Sequence, residues 1–398
     1  MELSVRKILL FFSLFFVLTT GGVLTGLEPI SSAVAGLEFG LMSYLFCRYV
    51  ILNSKLRKSE SLFVYLFTTF SIFHFFVNTS NSDIPTFLKI VAPITFYFTG
   101  KYVENKSFDV ANKSLILFSI CILPVLIRLM QVATAYPSDV YYSIFVNSNN
   151  FSYYFLVVSM LVFLISNRKL YSFLYLGFGF TLSRTIGAFL AFALGYALSL
   201  GKMLLRPKVL VSLFSGFGLL VGLILYSNIE IFERIRNSYL TFQSLTSTSG
   251  SIGNLKSIEY GDAIGYVQGD QNDLSFLFRI KNWSEIIAAF SNSDFKNVLF
   301  GNGFLSVTLI TSTGLVAHND YLGLIYEYGL LPAGLLILTY WQVLRSLKFK
   351  ELNVAFFAVA IYHFTENLYY NFLITSLHFL ILGLVTSQNA KYENTSNQ

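Results

Sequence analysis

From Gly301 to Gly334 the chain reads GNGFLSVTLITSTGLVAHNDYLGLIYEYGLLPAG, a polar loop running into an apolar helix. At the join stands His318, followed by Asn319, Asp320 and Tyr321. An imidazole exchanges protons near neutral pH, so His318 is a candidate general base or acid. The competing reading is a histidine at a helix start that serves only as a hydrogen-bonding residue. Asn319 and Asp320 are of the type that cap helix N-termini. Other titratable groups interrupt apolar stretches: Lys89, Arg128, Arg184, Glu327, His363 and Glu366, with Arg279 in the segment LSFLFRIKNWSEIIAAF. An ionisable group in such a stretch is costly and therefore a functional candidate. Arginine presents paired donors that match phosphate oxygens where water is scarce. Several cations from different segments suit a diphosphate better than a single phosphate. The competing reading is snorkelling to an interface, or pairing with a buried acid such as Glu327. Arg184 favours the ligand role, because Ser183, Thr185 and Gly187 flank it at a helix start. His74 and His378 sit alone on apolar stretches and read as structural. No His-x-x-His, cysteine pair or carboxylate cluster suggests a metal, and no Gly-rich phosphate loop suggests a cytoplasmic nucleotide. Neither a metal nor a cofactor is expected.

The elements that must position these groups are apolar. Of 398 residues, 55% are hydrophobic and 12% charged, against roughly a quarter charged in a soluble domain. Runs long enough to cross a bilayer as helices recur. They fall at about 8–26, 36–53, 61–79, 84–101, 114–134, 149–167, 170–183, 185–203, 208–228, 319–344, 352–368 and 370–388. The expected fold is all-α, a polytopic integral membrane protein of about twelve transmembrane helices forming one domain over 1–398. The first run follows Arg6 and Lys7 and reads as a helix, not a cleaved leader. Cys47 and Cys121 lie in apolar runs and suggest no disulfide framework. The net charge of +6 is spread between the runs, which argues against nucleic-acid binding.

Basic clusters fix the expected orientation. Arg6/Lys7, Lys55/Arg57/Lys58, Lys101/Lys106/Lys113, Arg168/Lys169, Lys202/Arg206/Lys208 and Arg345/Lys348/Lys350 all fall on one side of a twelve-span chain. That side is the cytoplasm, with both termini in it. One external loop, 229–317, is then very long. Its Ser-, Thr- and Gly-rich half, Thr241 to Asp273, reads as irregular. In its second half Phe276, Ile280, Trp283, Ile286, Ile287 and Phe290 recur at helical spacing, an amphipathic helix for the membrane surface or the outer helix ends.

Three ordered elements resemble the O-antigen ligase/polymerase superfamily, the Wzy-type polymerases and lipid A-core ligases. The first is Ser183–Arg184–Thr185. The second is Arg279-x-x-x-Trp283. The third is Gly301–Asn302–Gly303 with His318–Asn319–Asp320–Tyr321–Leu322 and Glu327–Tyr328–Gly329–Leu330–Leu331. They lie within about 180–335, and the first half of the chain matches in hydropathy only. Pro332 departs from the pattern, standing where many members have glycine. The resemblance implies a metal-independent glycosyltransferase at the outer face of the bacterial cytoplasmic membrane, with a glycan on undecaprenyl diphosphate as donor. Arg184 and Arg279 correspond to the arginines that hold the diphosphate, and His318 to the essential histidine. Arg128, Lys89, Asn319, Tyr321, Glu327 and Trp283 are the expected substrate-binding residues. The expected partners are the lipid-linked oligosaccharide, membrane lipids, a chain-length regulator and a flippase. A polymerase is the preferred reading, a ligase acting on lipid A core or protein the alternative, and a polysaccharide flippase the non-enzymatic one.

Overall fold

The computed structural model describes residues 5–25, 93–101, 113–133, 147–166, 168–183, 185–200, 230–248, 252–266, 274–346, 350–369 and 371–396, with short stretches such as 69–74 and 143–145. The expected spans at 36–53 and 208–228 lie largely outside the described residues, those at 61–79 and 84–101 in part. Lys89 and Arg184 lie outside them wholly. The described residues are helical throughout, joined by turns. The helices used below are α1 (Val5–Thr25), α2 (Lys113–Ala133), α3 (Ser148–Ser166), α4 (Lys169–Ser183), α5 (Ile186–Leu200), α6 (Glu230–Thr248), α7 (Tyr260–Tyr266), α8 (Leu274–Ser291), α9 (Phe295–Phe300), α10 (Asp320–Tyr328), α11 (Leu330–Ser346), α12 (Lys350–Tyr362) and α13 (Phe372–Ser396). Three are long and apolar enough to cross a membrane, at Lys7–Leu24, Lys113–Ala133 and Ser148–Ser166. Those at Leu170–Phe180, Ile186–Ser199, Leu330–Arg345, Asn353–Tyr362 and Phe372–Val385 are apolar but shorter.

The main core joins α1, α2, α3, α12 and α13, with the 93–101 helix among them. Glycines set the closest approaches. Gly100 faces the backbone of Leu380 and Leu384, and Gly383 faces Tyr97, so neither has room for a Cβ. In α2 the residues Leu117–Ile122 widen into a π-helical stretch just before Pro124. Proline has no N–H to give the carbonyl four residues back, which is that of Ile120. The Tyr154 hydroxyl donates there instead, at 2.7 Å, and Tyr175 donates to the neighbouring Cys121 carbonyl at 2.9 Å.

The direction of the chain sorts charge from chemistry. α5 and α12 run antiparallel, since Gly195 lies on Val354 and Ala358 while Gly187 lies on Tyr362 and Thr365. Leu200 and Lys350 therefore share one end, and Ile186 and Tyr362 the other. α3 and α4 form a hairpin turning at Arg168, and Ser152 near the start of α3 meets Thr185 just past the end of α4. Arg168, Lys169 and Lys350 thus lie at the end away from Thr185 and Tyr362.

Three expectations need correction. The span at 319–344 is not one helix. It stops at Gly329 (φ 86°) and restarts as α11. The cause is a second helix end, that of α9, which presses its Leu299 and Gly301 backbone against Gly329 and leaves no room for a side chain at either glycine. Asn302 and Gly303 donate their backbone N–H groups to the Tyr326 and Glu327 carbonyls at 3.0 and 3.1 Å. The last carbonyls of α10 are satisfied that way. Pro332 falls in the first turn of α11, where an N–H has no intrahelical acceptor to lose.

The stretch from Thr241 to Asp273 is not irregular where it is described. α6 continues through it to Thr248, followed by a 3-10 turn (Ile252–Ser257) and α7. Leu245, Leu255, Ala263 and Leu277 form a small core of their own, which outweighs the weak helix propensity of the Ser and Thr residues. α8 is helical as expected, but its buried face is turned. Leu277, Lys281, Asn282, Glu285 and Ile286 are inside, and Ile287 is 55% exposed. The apolar pattern missed this because two of the buried residues are charged. Lys281 and Glu285 pair with each other one turn apart, and the Glu285 carboxylate also accepts the Ser312 N–H at 3.1 Å.

Candidate functional site

α8 carries Arg279 and Trp283 four residues apart, hence on one face. The Trp283 indole donates to the Ala317 carbonyl at 2.9 Å. That bond fixes the residue immediately before His318, so the arginine one turn earlier arrives beside the histidine. Ile286 of α8 packs with Val307, Ala317 and Tyr326, which seals the same junction from below. His318 itself has φ 48°, in the left-handed region. A non-glycine residue there costs on the order of 1–3 kcal/mol and persists only where its surroundings hold it. Asn319 caps α10, its side-chain oxygen accepting the Leu322 N–H at 3.0 Å.

Asp320 is buried and organises a second segment. One of its oxygens accepts from the His363 ring at 2.5 Å and from the Leu368 and Tyr369 N–H groups at 2.7 and 3.3 Å. The Asp320 N–H returns a bond to the His363 carbonyl at 2.8 Å. The turn after α12 is thereby strapped to the start of α10, and that turn carries Glu366. The Glu366 carboxylate meets Arg279 Nη2 at 2.5 Å through one oxygen and lies 3.5 Å from His318 Nδ1 through the other. Arg279 Nη1 donates to the Ser275 hydroxyl at 2.8 Å, while its Nε–H has no acceptor among the described residues. Exposure separates the three roles: the side chains of Arg279 and His318 are 20% and 27% exposed, that of Glu366 only 5%.

These groups open on a cleft of about 320 Å³ lined by Tyr260, Leu274, Ser275, Phe278, Arg279, Leu315 and His318. Phe278 stands edge-to-face against the His318 ring, centroids 5.2 Å apart, and against Tyr260 at 6.0 Å. Burial raises the Tyr260 phenol, which stays neutral at physiological pH. The cleft thus offers a cation, an imidazole with a carboxylate behind it, and aromatic walls.

Of the expected site residues, the structure brings Arg279 and His318 together, with Trp283 and Asn319 as their supports. Both supports spend their polar groups on the protein, not on the cleft. The Tyr321 hydroxyl donates to the Ala360 carbonyl at 2.7 Å, a tie to α12. Glu327 is buried and lines a separate narrow crevice with Asp320, Gly323 and Asn367. The carboxylate on Arg279 is that of Glu366. Arg128 sits on α2, where it meets Gln131, the residue that brackets Ser143. It is not among the residues lining the cleft. Position 184 lies outside the described residues; Thr185 beside it meets the Ser152 hydroxyl, and Gly187 packs on Tyr362 and Thr365.

Sequence reading named His363 and Glu366 as titratable residues in an apolar run without joining them to the site. Their spacing was the available signal. Their partners were not readable, being 43 and 48 residues away for the two histidine contacts and 87 for the arginine. Phe278, Tyr260 and Ser275 carried no signal at all. Among known proteins, no family model matches this chain and no curated protein is similar to it.

Proposed function

We propose that the protein is a polysaccharide polymerase of the O-antigen, capsule or exopolysaccharide kind. It would be an inverting, metal-independent glycosyltransferase joining undecaprenyl-diphosphate-linked repeat units at the outer face of the bacterial cytoplasmic membrane. The supporting observation is the single cleft in which Arg279 and His318 face the same opening, with a buried carboxylate touching both. Transfer of a sugar from a diphosphate needs a cation at the leaving group and a base at the attacking hydroxyl, and nothing more elaborate. Position along the bundle supports the outer-face assignment, since Arg168, Lys169 and Lys350 lie at the far end from the cleft, where the positive-inside rule puts cytoplasm.

In this reaction the acceptor hydroxyl attacks the anomeric carbon of the donor sugar. Its proton passes to His318, whose Nδ1 is turned to Glu366, leaving Nε2 as the base. The bond from the anomeric carbon to the diphosphate oxygen breaks, and the electron pair departs on the diphosphate. Arg279 neutralises the growing charge, joined by Arg184 on the strength of the resemblance and of its neighbours Ser183 and Thr185. A one-step displacement inverts the anomeric centre.

The test is elongation by purified protein in detergent, given undecaprenyl-diphosphate-linked repeat units with a chelator present. A ladder of products that is lost in His318→Ala supports the polymerase. Transfer only when lipid A core is added makes the protein a ligase. Neither product from verified substrate overturns the enzymatic reading in favour of a flippase.

A further inference from the structure

Glu366 is shared. One carboxylate oxygen holds Arg279 at 2.5 Å and the other stands 3.5 Å from His318, so the ion pair is closed and the histidine contact is at the outer limit of a hydrogen bond. Arg279 and His318 reach the cleft, whereas Glu366 is packed behind them with no route to a ligand of its own. Taking the cleft as the site of a donor diphosphate, we propose that donor binding transfers Glu366 from Arg279 to His318. The diphosphate competes for the guanidinium, and the released carboxylate then serves the base. Glu366 is on this account a positioning residue that makes His318 competent only when donor is in place.

Three observations fit the exchange. The Arg279 Nε–H has no acceptor among the described residues, so its guanidinium can re-aim toward a second anion without first losing every partner. A bidentate diphosphate contact is stronger than the single Nη2 contact that Glu366 makes. A carboxylate only 5% exposed cannot turn to water when its cation is drawn away. The cation within reach is His318 as it takes the acceptor's proton, and burial makes an unpaired carboxylate expensive enough to close the 3.5 Å gap. The turn carrying Glu366 need not move, because the Asp320 carboxylate holds it through His363, Leu368 and Tyr369. A side-chain rotation suffices.

The experiment is binding of farnesyl diphosphate to the full-length protein in detergent, with farnesyl phosphate as the control, alongside turnover in the elongation assay. Glu366→Gln keeps the shape and removes the competing charge. It should bind farnesyl diphosphate roughly tenfold tighter than wild type, the effect of removing one charge-assisted competitor. Its turnover should fall on the order of 100-fold, because the base has lost its carboxylate. Tighter binding with slower turnover is a split that a merely structural role does not produce. Equal or weaker binding by Glu366→Gln, at an unchanged unfolding midpoint, overturns the exchange and leaves the diphosphate site standing. Failure of the wild type to bind farnesyl diphosphate overturns the diphosphate reading itself. Should Glu366→Gln not fold, Glu366→Asp replaces it. Its shorter carboxylate is drawn back from Arg279, so it should tighten binding by a smaller factor, and no change in that variant overturns the exchange.

Discussion

Two acid–histidine pairs lie side by side in this protein, and the same two short segments make both. His318 and Asp320 come from the start of α10, and His363 and Glu366 from the turn after α12. Each segment gives its histidine to the other's acid. The pairs differ in every physical respect that matters. Asp320 and His363 are sealed, 3% and 1% exposed, and 2.5 Å apart, with two backbone N–H groups completing the acid. Glu366 and His318 are 3.5 Å apart, and the histidine is 27% exposed to the cleft. The first pair is buried on all sides and its acid also accepts two backbone N–H groups, so it holds the two segments in place. The second is loose, shared with Arg279 and open on one side, which is the state the proposed base requires.

The contrast can be broken from either side. The largest effect belongs to Asp320→Ala, which strips three donors of their acceptor in a buried place. It should cost about 3–5 kcal/mol of stability and take activity with it, read as a lowered unfolding midpoint together with an empty product ladder. His318→Ala should leave the midpoint where it is and lower turnover by on the order of 10²- to 10⁴-fold. If the two variants lost stability equally, the division into a holding pair and a reacting pair would fail. Gly301→Ala tests the support beneath both pairs. A methyl there meets the Glu327 carbonyl with φ at 83°, so a loss of about 1–3 kcal/mol should appear in thermal unfolding, with turnover lowered at most in proportion. The smallest effect is that of Tyr321→Phe. Its hydroxyl contacts Ala360, not the cleft, so about 0.5–1 kcal/mol of stability and no change in donor affinity are expected. A marked affinity loss would return Tyr321 to the substrate site.

The sequence is explicit about whatever depends on local order. Hydrophobic runs marked α2 and α3 within a residue and α1 within three, because length and apolarity decide such helices. The Arg279-x-x-x-Trp283 spacing and the residues after His318 already held half of the site, since a helical turn and an N-cap are local devices. What stayed hidden was pairing across the chain. Nothing in the composition of the turn after α12 says that Glu366 answers Arg279. The break at Gly329 depends on Gly301 arriving from another segment, and the largely apolar stretch from Leu322 to Leu338 conceals it. Lys281 and Glu285 misled the reading of α8 because a buried ion pair looks, in a sequence, like a solvated face.

Arg279 and Glu366 are separated by 87 residues, with His318 between them. At translation rates of 5–20 residues per second, the ribosome takes on the order of ten seconds to travel from one to the other. During that interval first the arginine and then the histidine exist without the carboxylate that joins them, and the strap from Asp320 has nothing to tie. The centre is therefore completed only when the turn after α12 is made, once the segments carrying Arg279 and His318 already exist. A nascent chain stalled before Glu366 would carry the recognisable motifs and still lack the working arrangement.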